Sequence, residues 1–161
     1  LPRAPTAFAA AAHHNCTVDR LGSFYCWGRG TRGELGTGLR ESATRPQRIM
    51  SITDVVEVSG GAYHTCARRR DGTVWCVGGN GQWELGDGVG DHGGCSDGTD
   101  CSLTWVQAVG VDSAVSLASM SEGSCAFLAS GRIRCWGRNA YGALGAGDEA
   151  AHSLPQLVTT P

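Results

Sequence analysis

The stretch His64-Thr65-Cys66-Ala67-Arg68-Arg69-Arg70-Asp71-Gly72-Thr73-Val74-Trp75-Cys76-Val77-Gly78 decides the fold, because it occurs three times. His14 to Gly28 and Gly123 to Gly137 align with it without a gap. Cys16, Cys66 and Cys125 coincide, as do Cys26, Cys76 and Cys135, and Gly22, Gly72 and Gly131 share one turn position. The likeness continues into Gly-Glu-Leu-Gly-Thr-Gly (33–38), Trp-Glu-Leu-Gly-Asp-Gly (83–88) and Gly-Ala-Leu-Gly-Ala-Gly (142–147). The period is 50 residues and then 59, the second unit carrying an insertion. Periods of this size belong to propellers, solenoids and arrays.

Within each unit, two runs rich in β-branched and aromatic residues flank an Asp-Gly signal or its counterpart, which reads as a β-hairpin. A two-residue loop at Asp71-Gly72 would leave the cysteines out of line by one. A three-residue loop, with Gly72 left-handed, pairs Arg69 with Thr73 and sets Cys66 opposite Cys76. Opposed residues lie roughly 4.5–5.5 Å apart at Cα, within the span of about 4.4–6.8 Å that a disulfide accepts. The register therefore predicts Cys16–Cys26, Cys66–Cys76 and Cys125–Cys135, and leaves Cys95–Cys101 as the remaining pair. Zinc is set aside, because its cysteines come as close pairs and these have nine residues between them across a turn.

The chain has 161 residues, 41% of them apolar, with a net charge of −2. That balance argues against disorder and against bulk attraction to nucleic acid. Eight cysteines at regular spacing point to an oxidising compartment: secreted, periplasmic or cell-surface. No stretch approaches the 18 or so apolar residues of a membrane helix. Leu1-Pro2-Arg3-Ala4-Pro5 leads straight into repeat material, so an export signal is expected to be removed or to lie outside these residues.

The expected organisation is one repeat domain over 1–161: repeat one 1–50, repeat two 51–109 with a disulfide-pinned insertion at 89–103, and repeat three 110–161. Each unit opens with a small apolar strand (Ala7 to Ala12, Val55 to Ser59, Ala114 to Ala118). The hairpin and the Gly-rich loop follow. The unit closes with an apolar segment near a Pro, a position that Trp105 takes in the middle unit. Proline suits an outermost strand, and four strands make a propeller blade.

His-x-Cys-Ala, Asp-Gly-x-Val-x-Cys, Gly-x-Asn, Glu-Leu-Gly-Asp-Gly and a later Pro-x-x-Val/Ile resemble the repeat of the regulator of chromosome condensation (RCC1) superfamily, over essentially the whole chain. The cysteine-bearing version is similar to secreted bacterial members. The resemblance implies an all-β protein of three four-stranded blades, cut from a propeller that is usually seven-bladed and used mainly to bind proteins. Three departures stand out: Gly123 in place of His, Val77 in place of Trp, and Trp83 in place of Gly. Three blades are too few for a ring of roughly four to eight. A longer or processed parent, or several chains together, is expected to complete it, with the flanks of blades one and three driving self-association or taking a partner.

His14 and His64 share a repeat position and are each expected to bond their own blade's backbone. Gly28-Arg29-Gly30-Thr31-Arg32-Gly33 fits a dinucleotide pattern, but no helix follows it. Asp91, Asp97 and Asp100 offer hard oxygen ligands for calcium. They lack the EF-hand spacing, so a solvated acidic loop is expected, with neither metal nor cofactor. No Gly-x-Ser-x-Gly elbow occurs. The function expected is non-catalytic: an exported protein-binding or structural module without nucleic acid or membrane span. A secreted inhibitor of another enzyme is the alternative, and a propeller hydrolase or lyase stands further off. Strand order collects Arg29, Arg32, Tyr63, Trp83, Arg138 and Tyr141 on one loop face, and these residue types are enriched at binding hot spots.

Overall fold

The computed structural model describes residues 4–93, 95 and 98–159 of the chain. The first sheet is β1 (Pro5–Ala10), β2 (His14–Asp19), β3 (Phe24–Gly28) and β4 (Ala43–Ile49). The second is β5 (Val55–Gly60), β6 (His64–Arg69), β7 (Val74–Gly79) and β8 (Cys101–Gln107). The third is β9 (Ala114–Met120), β10 (Gly123–Leu128), β11 (Ile133–Gly137) and β12 (His152–Leu157). All three are antiparallel meanders in chain order.

The hairpin follows the register that the cysteines demand. Arg69 N–H donates to Thr73 O at 2.9 Å and Gly72 N–H to Arg69 O at 3.0 Å. Gly72 sits at φ 83°, which glycine adopts without a Cβ penalty. Cys66 therefore faces Cys76, and the Cα atoms of Cys16–Cys26, Cys66–Cys76 and Cys125–Cys135 are 4.1 Å apart. Cys95 and Cys101 form the fourth disulfide.

Two boundaries differ from the sequence reading. The first strand begins earlier and ends at Ala10 rather than Ala12, since the chain turns there with Ala11 N–H bonding His14 O. The insertion does not run to residue 103. Cys101 to Leu103 already pair as the start of β8, Gly78 lying opposite Ser102 and Gly79 opposite Cys101.

The core lies between the blades. One cluster joins sheets one and two through Val18, Phe24, Leu35, Val55, Val58 and Trp105. A second joins sheets two and three through Val74, Leu85, Ala108, Leu117, Leu128 and Trp136. In each, the Leu-Gly turn of one blade carries an indole of the next. Trp136 lies against Gly86, where a Cβ would meet its ring at 2.7 Å, and donates its Nε1–H to Glu84 O at 2.9 Å. Blade two has only Val77 at that position. Trp105, from β8, fills the space instead: it lies against Gly36 at 2.6 Å from a built Cβ and bonds Ser51 Oγ at 3.2 Å. Its ring also packs on Phe24 with centroids 5.8 Å apart.

The two repeated histidines correct the expectation placed on them. His14 Nε2 reaches Thr65 Oγ1 of the next blade at 2.6 Å, and His64 Nε2 reaches Ser124 Oγ at 2.9 Å. Thr65 donates its own proton to Glu34 O at 2.6 Å, so it accepts from the imidazole. The histidines are blade-to-blade ties rather than links to their own sheets. Buried hydroxyls opposite them drive this, because an unpaired polar group in that interface costs about 1–3 kcal/mol.

Candidate functional site

The turn between the first two strands of each blade is hydrogen-bonded to the loop that leaves the third. Arg29 N–H donates to His13 O at 2.9 Å, Gly79 N–H to Tyr63 O at 2.8 Å, and Arg138 N–H to Glu122 O at 2.8 Å. Both sets of loops therefore share one face. Asparagines brace the loops. Asn80 Oδ1 accepts Leu85 N–H at 3.1 Å while its Nδ2 donates to Val89 O at 2.9 Å and Asp100 Oδ2 at 2.8 Å. Asn139 repeats the device with Leu144 N–H at 2.8 Å and Asp148 O at 2.8 Å. The Glu-Leu-Gly glutamates turn inward: Glu34 accepts Arg32 N–H at 2.6 Å and Glu84 accepts Gln82 N–H at 2.7 Å. Burial pushes the Glu84 carboxyl up to about 7.

Of the six face residues expected from the sequence, three meet. The guanidinium carbons of Arg29 and Arg32 lie 4.6 and 4.1 Å from the centroid of the Tyr63 ring. Such stacking is worth about 0.5–1 kcal/mol at exposed sites. Arg29 also lies 3.4 Å from the buried Glu34 carboxylate. The other three stay in their own loops. Trp83 is half-buried, its six-membered ring against Gly90 of the insertion, where a built Cβ would be 2.6 Å away. Arg138 pairs with Glu122. Tyr141 is 96% exposed. Trp83 and Tyr141 both hold a left-handed backbone, at φ 67° and 61°. For bulky residues this is an outlier that the surroundings must enforce.

The insertion is organised around His92. His92 Nε2 meets Asp87 Oδ2 at 2.8 Å and its Nδ1 meets Asp100 Oδ2 at 3.1 Å. Burial opposes the charged imidazole, but the hydrogen bonds to Asp87 and Asp100 outweigh it and hold the pKa above the ordinary value. Asp100, offered as a calcium ligand, is thus committed to His92 and Asn80. Asp91 caps Gly93 N–H at 2.9 Å, and Asp97 lies outside the described residues. Among the described residues no group of three or more His, Cys, Asp and Glu is arranged to hold a metal. The repeated Glu34 and Glu84 and the Gly-x-Asn motif carried a signal for the loop braces; His92 had no counterpart in the other units.

Three four-stranded meanders, the first two each seating the next blade's indole on a Leu-Gly turn, are propeller blades of the RCC1 type. Models of the regulator of chromosome condensation (RCC1) repeat match residues 22–68 and 130–161, and residues 55–82. Together they cover more than half of the chain, which belongs to the RCC1 repeat family. No curated protein matches it in sequence. Among solved structures, it superposes on yeast RCC1 (Prp20), determined bound to Kap60, with a TM-score of 0.82 at 21% identity, over 95% of this chain and 36% of that one. Human WBSCR16 gives a TM-score of 0.83 at 18% identity, over 98% of this chain and 41% of that one. A further structure of Prp20p from Saccharomyces cerevisiae, described with its binding to Gsp1p and histones, gives 0.80 at 20% identity, over 95% and 38%. The chain spans about two-fifths of the length of these proteins.

Proposed function

We propose that this chain is an exported, non-catalytic protein-interaction module. In this reading it forms part of a larger propeller or multi-chain assembly and engages a protein partner through the loop face. The observation that carries the reading is the stack of Arg29 and Arg32 on Tyr63, on the face where Trp83 and Tyr141 are held left-handed. Arginine and aromatic side chains fixed on a rigid scaffold have the composition of binding hot spots. The four disulfides support an oxidising compartment, and the Kap60-bound yeast relative supports protein binding by this fold.

A groove of about 730 Å³ runs along the first strands of the blades. Its carboxylate, Glu57, is already engaged by Arg68 at 2.7 Å and by Ser116 Oγ and Leu117 N–H of the next blade at 3.2 and 3.1 Å. That engagement favours a structural role for Glu57 over a catalytic one. Replacing Trp83 or Tyr63 with Ala is expected to weaken binding of the partner co-purified from the source by about 2 kcal/mol or more. Unchanged affinity in both variants, read by calorimetry with the fold intact, rules the face out.

A further inference from the structure

Each blade ends in an outer strand that pairs on one side only. Such an edge is a template for a further strand unless something blunts it. In β4 and β12 a proline does so, since it has no N–H to offer. Pro46 and Pro155 each stand one residue before the partner of the blade's second cysteine, Gln47 opposite Cys26 and Gln156 opposite Cys135. β8 has Trp105 at that register, before Val106 opposite Cys76, and no proline elsewhere. Ala108 N–H donates inward to Val74 O at 2.9 Å. Alternation along the ladder therefore turns the N–H groups of Trp105 and Gln107 away from β7. Gln107 and Thr104 are exposed. Blade two has an open edge where blades one and three have blunted ones.

A cavity of about 360 Å³ lies beside this edge, on the side of the sheet that faces blade one. Trp75, Trp105, Leu103, Met50 and Ile52 form its apolar wall. Both indole N–H groups are engaged within the protein, that of Trp75 with Thr73 Oγ1 at 3.1 Å and that of Trp105 with Ser51 Oγ at 3.2 Å. Arg69 also lines the cavity, but it lies 3.5 Å from both Asp54 and Asp71 and donates to Thr53 O at 3.1 Å. What fits is an uncharged, bulky apolar group, and Met50, 74% exposed, can adapt to its shape. A smaller cavity of about 150 Å³ adjoins the first across Met50, Ile52 and Thr53. Its charged lining residues are Asp54, held by Arg69, and Arg48. Arg48 is exposed and makes no ion pair among the described residues. By register it stands in blade one where Gln107 stands in blade two.

We infer that the outer edge of blade two takes an extended segment of a partner protein as a further, antiparallel strand. An aromatic side chain of that segment fills the Trp75–Trp105 cavity, and a carboxylate two residues earlier meets Arg48. A partner residue opposite Trp105 exchanges two backbone hydrogen bonds with it and points its side chain to the same face, into the cavity. The residue two before it lies opposite Gln107, level with Arg48. Main-chain bonds supply affinity in this mode of recognition, and the pocket and the charge supply selectivity. The outer rim lies apart from the loop face, so either surface can fail without the other.

Titration of the full chain with the end-capped peptide Thr-Glu-Thr-Phe-Thr-Val-Thr, followed by amide NMR, tests the inference. The Trp105 and Gln107 amides are expected to shift and to saturate at millimolar peptide or below. Alanine in place of the peptide's phenylalanine is expected to raise Kd about tenfold or more, the effect of one large buried apolar side chain. N-methylation of the phenylalanine amide removes a ladder donor and is expected to raise Kd about threefold or more. Lysine in place of the glutamate is expected to do the same, by repulsion from Arg48. These three changes leave the protein untouched, so its folding does not enter. In the protein, Gln107→Pro gives blade two a blunted edge and is expected to weaken binding as the N-methyl peptide does. Amides that stay unshifted, or an affinity that survives any one of the peptide changes, overturn the proposal. Equal binding of the N-methyl peptide in particular would mean capture of a side chain without a strand.

Discussion

His14 and His64 show how one residue type serves the contact between blades and makes it acid-sensitive. Burial is the main cause that lowers His14 to about 4 and His64 to about 3, with a neighbouring imidazole adding to it in each case. A group whose folded pKa lies below its unfolded value of about 6.5 contributes stability that is complete above that pH. That contribution is lost as pH falls towards 3–4. Glu84 acts in the opposite sense: its raised pKa disfavours the fold as pH rises from about 4.5 to about 7. His64→Gln can keep a bond to Ser124 but cannot take up a proton. It is expected to lose less stability than wild type between pH 6.5 and 4, by on the order of 2 kcal/mol. Thermal melts at the two pH values measure this, and parallel losses in both proteins would remove the imidazole from the explanation. Trp83 carries a different strain. Gly33 and Gly142, at its repeat position, are also left-handed. Trp83→Gly should therefore be more stable than Trp83→Ala by about 1 kcal/mol, the left-handed cost of a Cβ. Equal denaturant midpoints for the two would show that the backbone there is not strained.

At the scale of the element, the hairpin is the part most legible in sequence. The β-branched and aromatic runs, the turn glycine and two cysteines over-determine one register, and the structure adopts it. The Cys66–Cys76 bridge closes a short loop, so replacing both cysteines with Ser is expected to cost less than about 3 kcal/mol. Chemical denaturation of the double variant measures it, and global unfolding at neutral pH would mean the hairpin has little stability of its own. Contacts between elements were less legible, because they depend on which atoms meet across blades. Val77 reads in sequence as a lost tryptophan, yet Trp105 restores the indole from a different strand. The histidines read as ties within a blade, although their hydroxyl partners lie 51 and 60 residues away in the chain. His92 lacks a repeat counterpart, so nothing in the sequence pattern tied it to Asp87 and Asp100.

For the whole molecule, repetition explains the architecture. Each blade is a sheet whose apolar faces are buried by its neighbours, and the end blades of such a stack need cover. In blade three the Leu144-Gly145 turn carries Val158 of its own blade, and in blade one Trp27 lies against Phe8. The loop face, by contrast, is assembled from residues of separate units: Arg29 and Arg32 from the first meet Tyr63 from the second. Strand order was enough to put them on one side, but not to bring them into contact. Native mass spectrometry with surface cross-linking, on the protein purified from its source, tests the central claim most directly. The account predicts a complex, either with a further copy or with another chain, and cross-links to a partner protein concentrated on the loop face around Tyr63 and Trp83. A bare monomer, or a partner cross-linked only at the hairpin tips near Arg68 to Arg70, would contradict it.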